Sequence, residues 1–132
     1  MAIQTLEEAI YDRLSNFTGL TDLVSTKIYP LEIPQDIAKP AVVYARDVTE
    51  HISAFGADIG NVRVVMEVVA WAETYSSALA ICKQIRLALQ RWSGTYGSII
   101  VEDTFVESEA QSFESDTEGK YVSQTYIMWF RS

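Results

Sequence analysis

The chain has 132 residues, 48% of them hydrophobic and 21% charged, with a formal charge of −8. That is the size and composition of one globular domain with a real core. The acidic balance and the scatter of its ten Lys and Arg residues exclude a basic nucleic-acid groove, which needs clustered cations to displace counterions.

One cysteine, Cys82, rules out an internal disulfide and any multi-cysteine zinc site. No apolar run approaches the ~20 residues of a membrane span. The start, Met1-Ala2-Ile3-Gln4, has no signal-peptide pattern, so the expected site of synthesis is a cytoplasm.

In chain order, Thr5-Leu6-Glu7-Glu8 reads as a capping box. Leu6, Ala9, Ile10, Leu14 and Phe17 follow as one apolar helical face. A helix is predicted over about 5–16, closed by Gly19, with a short further turn around Leu20–Val24 capped by Thr21 or Asp22. Pro30, Pro34 and Pro40 make the next stretch extended and irregular, since each disfavours helix in the residue before it.

Ala41–Val48 is a predicted strand, and Glu50–Asn61 a long loop carrying Ile52 and Phe55. Val62–Trp92 is the strongest stretch. Val62, Val64, Met66, Val68 and Ala70 alternate with Arg63, Val65, Glu67, Val69 and Trp71, a period of two. Thr74 stands at an N-cap position, and Ala78, Cys82, Ile85, Leu89 and Trp92 recur at helical spacing up to Gly94 and Gly97. Ser98–Val106 is a third strand, with Ile99, Val101 and Phe105 on one side and Glu102 and Thr104 on the other. Lys120–Phe130 is a fourth. The linker region between them holds Glu102, Asp103, Glu107, Glu109, Glu114, Asp116 and Glu118 and no base.

The predicted architecture is α+β: a four-stranded, mainly antiparallel sheet in the order α-β-β-α-β-β, with two helices mostly on one face, all in a single domain over 1–132. Catalytic chemistry is absent from this reading. The one histidine, His51, sits in the loop without a nucleophile motif, and Cys82 lies on an apolar stripe as a small hydrophobe. Neither a metal constellation nor a phosphate loop is present, so no cofactor is expected. The acidic run is read as a solvated or lumen-facing surface.

Both faces of the central and last strands carry large apolar residues. Val65, Val69, Trp71, Ile127 and Trp129 lie on the face left over once two helices have covered the other, an arrangement that marks association. With Ile52 and Phe55 they form the expected oligomer or docking surface. Glu102, Asp103, Glu107, Glu109, Glu114, Asp116 and Glu118 form the expected acidic lumen or docking surface.

The order of these features resembles the tail-completion family of tailed bacteriophages, related to tail-terminator and head-to-tail joining proteins. The residues that carry it are Ile28-Tyr29-Pro30-Leu31-Glu32-Ile33-Pro34-Gln35, then Pro40-Ala41-Val42-Val43-Tyr44, then Ala70-Trp71-Ala72-Glu73-Thr74-Tyr75 at the strand–helix junction, and the ending Ile127-Met128-Trp129-Phe130. The resemblance implies a structural virion protein, not an enzyme, made in the bacterial host cytoplasm from a phage or prophage gene. It implies a homo-oligomeric ring, commonly a hexamer, at the head-proximal end of the tail. There the ring would terminate the tube of tail tube protein and join it to the head-connector or head-completion protein. DNA would pass through without specific binding, and no membrane is involved. The alternative from another class is a cytoplasmic dimeric α+β module that binds a small ligand.

Overall fold

The computed structural model describes residues 3–54, 57–114 and 119–132, with the backbone alone for 53–54, 57–59 and 112–114. Among these residues three helices, α1 (Leu6–Ser15), α2 (Thr18–Val24) and α3 (Tyr75–Leu89), accompany six strands. The strands are β1 (Ile28–Pro30), β2 (Ala41–Ala54), β3 (Ala57–Ala72), β4 (Gly94–Tyr96), β5 (Ile99–Glu114) and β6 (Gly119–Arg131). They form one curled, half-barrel sheet in the order β1-β2-β3-β6-β5-β4. The β1–β2 pair is parallel and the other pairs are antiparallel.

This corrects the expected four-stranded sheet with two helices. The "irregular" Ile28–Pro30 becomes a strand because Val42 to Tyr44 of β2 offer it a partner in register. Gly94 and Gly97 do not close α3. The helix ends at Gln90, whose N–H donates to the Arg86 carbonyl, and Gly94 opens β4. Gly19 is not a terminator either. It lies inside α2, pressed against the Gln84 side chain of α3, and α2 has no side-chain cap because its N-cap is Phe17.

The capping signals at Thr5 and Thr74 hold, whereas Thr21 and Asp22, the expected caps of the second helix, lie inside α2. The Glu8 N–H donates to Thr5 Oγ1 at 3.2 Å, and the Ser77 N–H to Thr74 Oγ1 at 3.1 Å, each satisfying one of the donors a helix start leaves open. The period-two pattern holds as well. Val62, Val64, Met66, Val68 and Ala70 are buried with Val122, Tyr126 and Met128 against Leu6, Ile10, Leu14, Ala78, Ile81, Ile85 and Leu89 of the helices. All of these belong to a single core on one side of the sheet.

The long strands run well past their predicted ends. Ser53 pairs with Asp58 and Ala54 with Ala57, so most of the predicted 50–61 loop is a continuing hairpin. Gln111 likewise pairs with Val122 and Glu114 with Gly119, so much of the acidic linker is strand. Register shifts leave one extra residue at each of Asp47, Glu102 and Glu107, which are β-bulges. The bulge at Glu102 reverses the parity of the residues after it. Thr104, not Phe105, joins Ile99 and Val101 on the buried side, and Phe105 pairs with Ile127 on the other face.

Candidate functional site: the sheet face opposite the helices

The helix-free face is built from cross-strand rows. Val48, Val65, Ile127 and Phe105 form one row across β2, β3, β6 and β5. Glu50, Arg63, Trp129 and Asp103 form the next, held at one end by the Arg63–Glu50 ion pair at 3.5 Å. At the other end Arg91 Nη1 meets Asp103 Oδ2 at 3.0 Å. Val43, Val69 and Ser123 form a third row. Trp71 stacks on Tyr121 with ring centroids 6.3 Å apart, and Lys39 Nζ sits 4.9 Å from the Trp71 ring.

The expected docking residues Val65, Val69, Trp71, Ile127 and Trp129 therefore share one face. Ile127 is only 2% exposed although it is not part of the main core, and Val65, Val69, Trp71 and Trp129 are half-buried. The sheet is curled, and the strip of this face along Val43, Val65, Val69, Phe105 and Trp129 is called the trough below. Ile52 is half-buried at an irregularity of the β2–β3 hairpin, away from the centre of the trough. Phe55 lies outside the described residues.

The acidic residues do not form one surface. Asp103 faces the trough, while Glu109 lies on the helix side and accepts from Gln124 Nε2 at 2.9 Å. Glu102 and Glu107 are the extra residues of two bulges. The Glu114 backbone ends β5, and Asp116 and Glu118 lie outside the described residues. β1 and β4 pair with only three residues each of β2 and β5, so these two long strands are sheet edges along most of their length. Bulges and charge at Asp47, Glu102 and Glu107 blunt such edges against unwanted strand addition. This role for the acids was missed in the sequence, because a bulge is a mismatch between two strands and no single strand shows it.

On the helix side a polar chain is buried. Gln124 is 1% exposed; its Nε2 also donates to the Cys82 carbonyl at 3.3 Å, and its Oε1 accepts from the Tyr126 hydroxyl at 2.7 Å. Burial raises the Tyr126 pKa, with the Cys82 and Glu109 charges adding to it. Burial also pushes the Cys82 thiol up to about 12, reinforced by Glu109. A thiol so disposed is a poor nucleophile, and Cys82 packs as a small hydrophobe. His51 is exposed in the hairpin. Among the described residues no group of three or more His, Cys, Asp or Glu side chains could hold a metal ion. Among the same residues no helix is long and apolar enough to cross a membrane.

The fold is similar to a chain of the solved structure described as "Virion of native gene transfer agent (GTA) particle". The TM-score is 0.77 at 14% sequence identity, covering 96% of this chain and 95% of that chain. No match is found among curated proteins. Residues 8–131 match the family described as Tail completion protein gp17; the chain belongs to that family, as a structural protein of the virion tail.

Proposed function

We propose that the protein assembles as a closed ring, a hexamer, at the head-proximal end of a phage tail. The ring ends the tube of tail tube protein and presents the surface that meets the head-connector or head-completion protein. It works by shape and charge, without a reaction step. The observation that carries this reading is the apolar trough. Val43, Val65, Val69, Trp71, Phe105 and Trp129 line a sheet face on the side away from the core that the three helices build. An extended apolar face of this kind is what a subunit contact uses.

The net charge of −8 suits a passage that DNA must traverse without sticking, since like charges repel a polyanion. The long β2–β3 and β5–β6 hairpins end at opposite ends of the central β3–β6 pair, because Asn61 lies opposite Arg131 and Ala72 opposite Lys120. Such hairpins can reach the neighbours above and below a ring. The test is the mass of the purified protein by analytical ultracentrifugation, with negative-stain electron microscopy. Annular particles support the reading. A monomer at high concentration overturns it, and a two-fold dimer favours the small-ligand module instead.

A further inference from the structure

We infer that the ring contact is made by the outer face of α3 of one copy seating on the trough of the next, with Lys83 entering a cleft beside Asp47 and Glu67. This rests on the ring reading above and names the two surfaces that meet. The cleft, about 160 Å³, lies where β2 and β3 meet the segment after β1. Leu31, Val43, Ala45 and Val69 give it apolar walls, and Asp47 and Glu67 bring two carboxylates; Arg46 also lines it, but its guanidinium is already paired with Glu7 of α1. Both acids are exposed, and among the described residues neither makes an ion pair.

Leu31 is the unusual residue there. It has a φ of 69°, a conformation that bulky side chains rarely adopt, and its N–H donates to the Tyr44 carbonyl at 2.7 Å. That bond helps hold a leucine 78% exposed at the cleft. A strained, fixed and solvent-facing apolar side chain points to a contact outside the chain.

The complementary surface is α3. Tyr75–Leu89 contains Lys83 and Arg86 and no acid. Ser76, Ala80, Lys83 and Leu87 are all exposed and recur at helical spacing, forming one stripe on which Leu87 is 55% exposed. Arg86 lies beside Glu107 and Glu109 of its own chain, whereas Lys83 makes no ion pair among the described residues. A lysine lays its aliphatic stem along apolar walls and carries its ammonium to carboxylates at their rim. Leu87, one turn along the same stripe, is placed to add apolar contact with Leu31. The two patches are different surfaces of one chain, so the contact is heterologous. A heterologous contact generates a ring where the rotation closes, whereas a self-complementary patch gives a dimer.

The experiment compares the full chain with Lys83→Glu, with Asp47→Asn/Glu67→Lys, and with the variant carrying all three changes, all monitored by sedimentation and circular dichroism. The first two should each weaken assembly at least about tenfold, and the combination should restore it to within about threefold, as paired charges across a contact do. Leu87→Ser should weaken assembly without altering charge. If the unaltered protein forms rings and K83E assembles just as well with its circular dichroism intact, this contact is wrong while the ring reading stands. Loss in the single patches without recovery in the combination also overturns it. A monomeric unaltered protein overturns the ring reading first. Should K83E lose its helical signal, Lys83→Ala replaces it and is read by the loss alone: assembly weakened at least about tenfold supports the contact, and unchanged assembly overturns it.

Discussion

Tyr126→Phe removes one oxygen from the buried polar chain between α3 and the sheet. In the native protein that hydroxyl donates to Gln124 Oε1 at 2.7 Å, and Gln124 is 1% exposed. The change leaves a buried amide oxygen without its donor, which costs about 1–3 kcal/mol from a total stability on the order of 5–15 kcal/mol. At about 2.1 cal/mol/K of unfolding entropy per residue, the melting temperature should drop by roughly 4–11 °C. Gln124→Leu should cost a similar amount by stranding the Tyr126 hydroxyl, while half-exposed or exposed neighbours such as Glu109 can turn to water. The double variant strands neither group. Its loss should therefore fall short of the summed single losses by about 1 kcal/mol or more. Urea unfolding at one fixed protein concentration measures this, since assembly adds to apparent stability. Strict additivity, or a Tyr126→Phe protein as stable as the native one, would refute the reasoning.

Gly97→Ala should destabilise by about 1–3 kcal/mol, read as a shift in urea midpoint. Gly97 has a φ of 60°, and a Cβ there would overlap the Ile3 backbone, whose carbonyl also accepts from the Ser98 N–H at 3.0 Å. Cys82 should resist alkylation at pH 8 in the folded protein and react at once in urea. Its thiol pKa is raised from 9.0 to about 12 by burial, so the folded state holds a proton that the unfolded state releases. Its contribution to stability is complete below pH 9 and is lost as pH rises from there toward about 12. A Cys82→Ala protein should show a shallower alkaline decline over that window.

The parts of the fold legible in advance are those in which a residue's own chemistry decides the outcome. Thr5 and Thr74 cap helices because a short hydroxyl side chain reaches the donors two or three residues on. The alternation from Val62 to Ala70 names the buried side of β3 because successive side chains of a strand point to opposite faces. The outer halves of β2 and β5 escaped detection because Glu and Ala have low strand propensity, and those segments are strands through pairing with β3 and β6. The three-residue β1 and β4 carry too few side chains to show any period at all.

The sequence by itself determined the buried side of β3, the caps of α1 and α3 and the family, since each follows from local residue patterns. Only the tertiary structure decided which apolar side chains remain outside the core and where charge stands beside them. Bulges at Asp47 and Glu102 reset which face each later residue takes, and a positive φ at Leu31 holds it out beside a cleft formed by three separate segments. Those are consequences of one strand lying against another, and neither strand alone contains them.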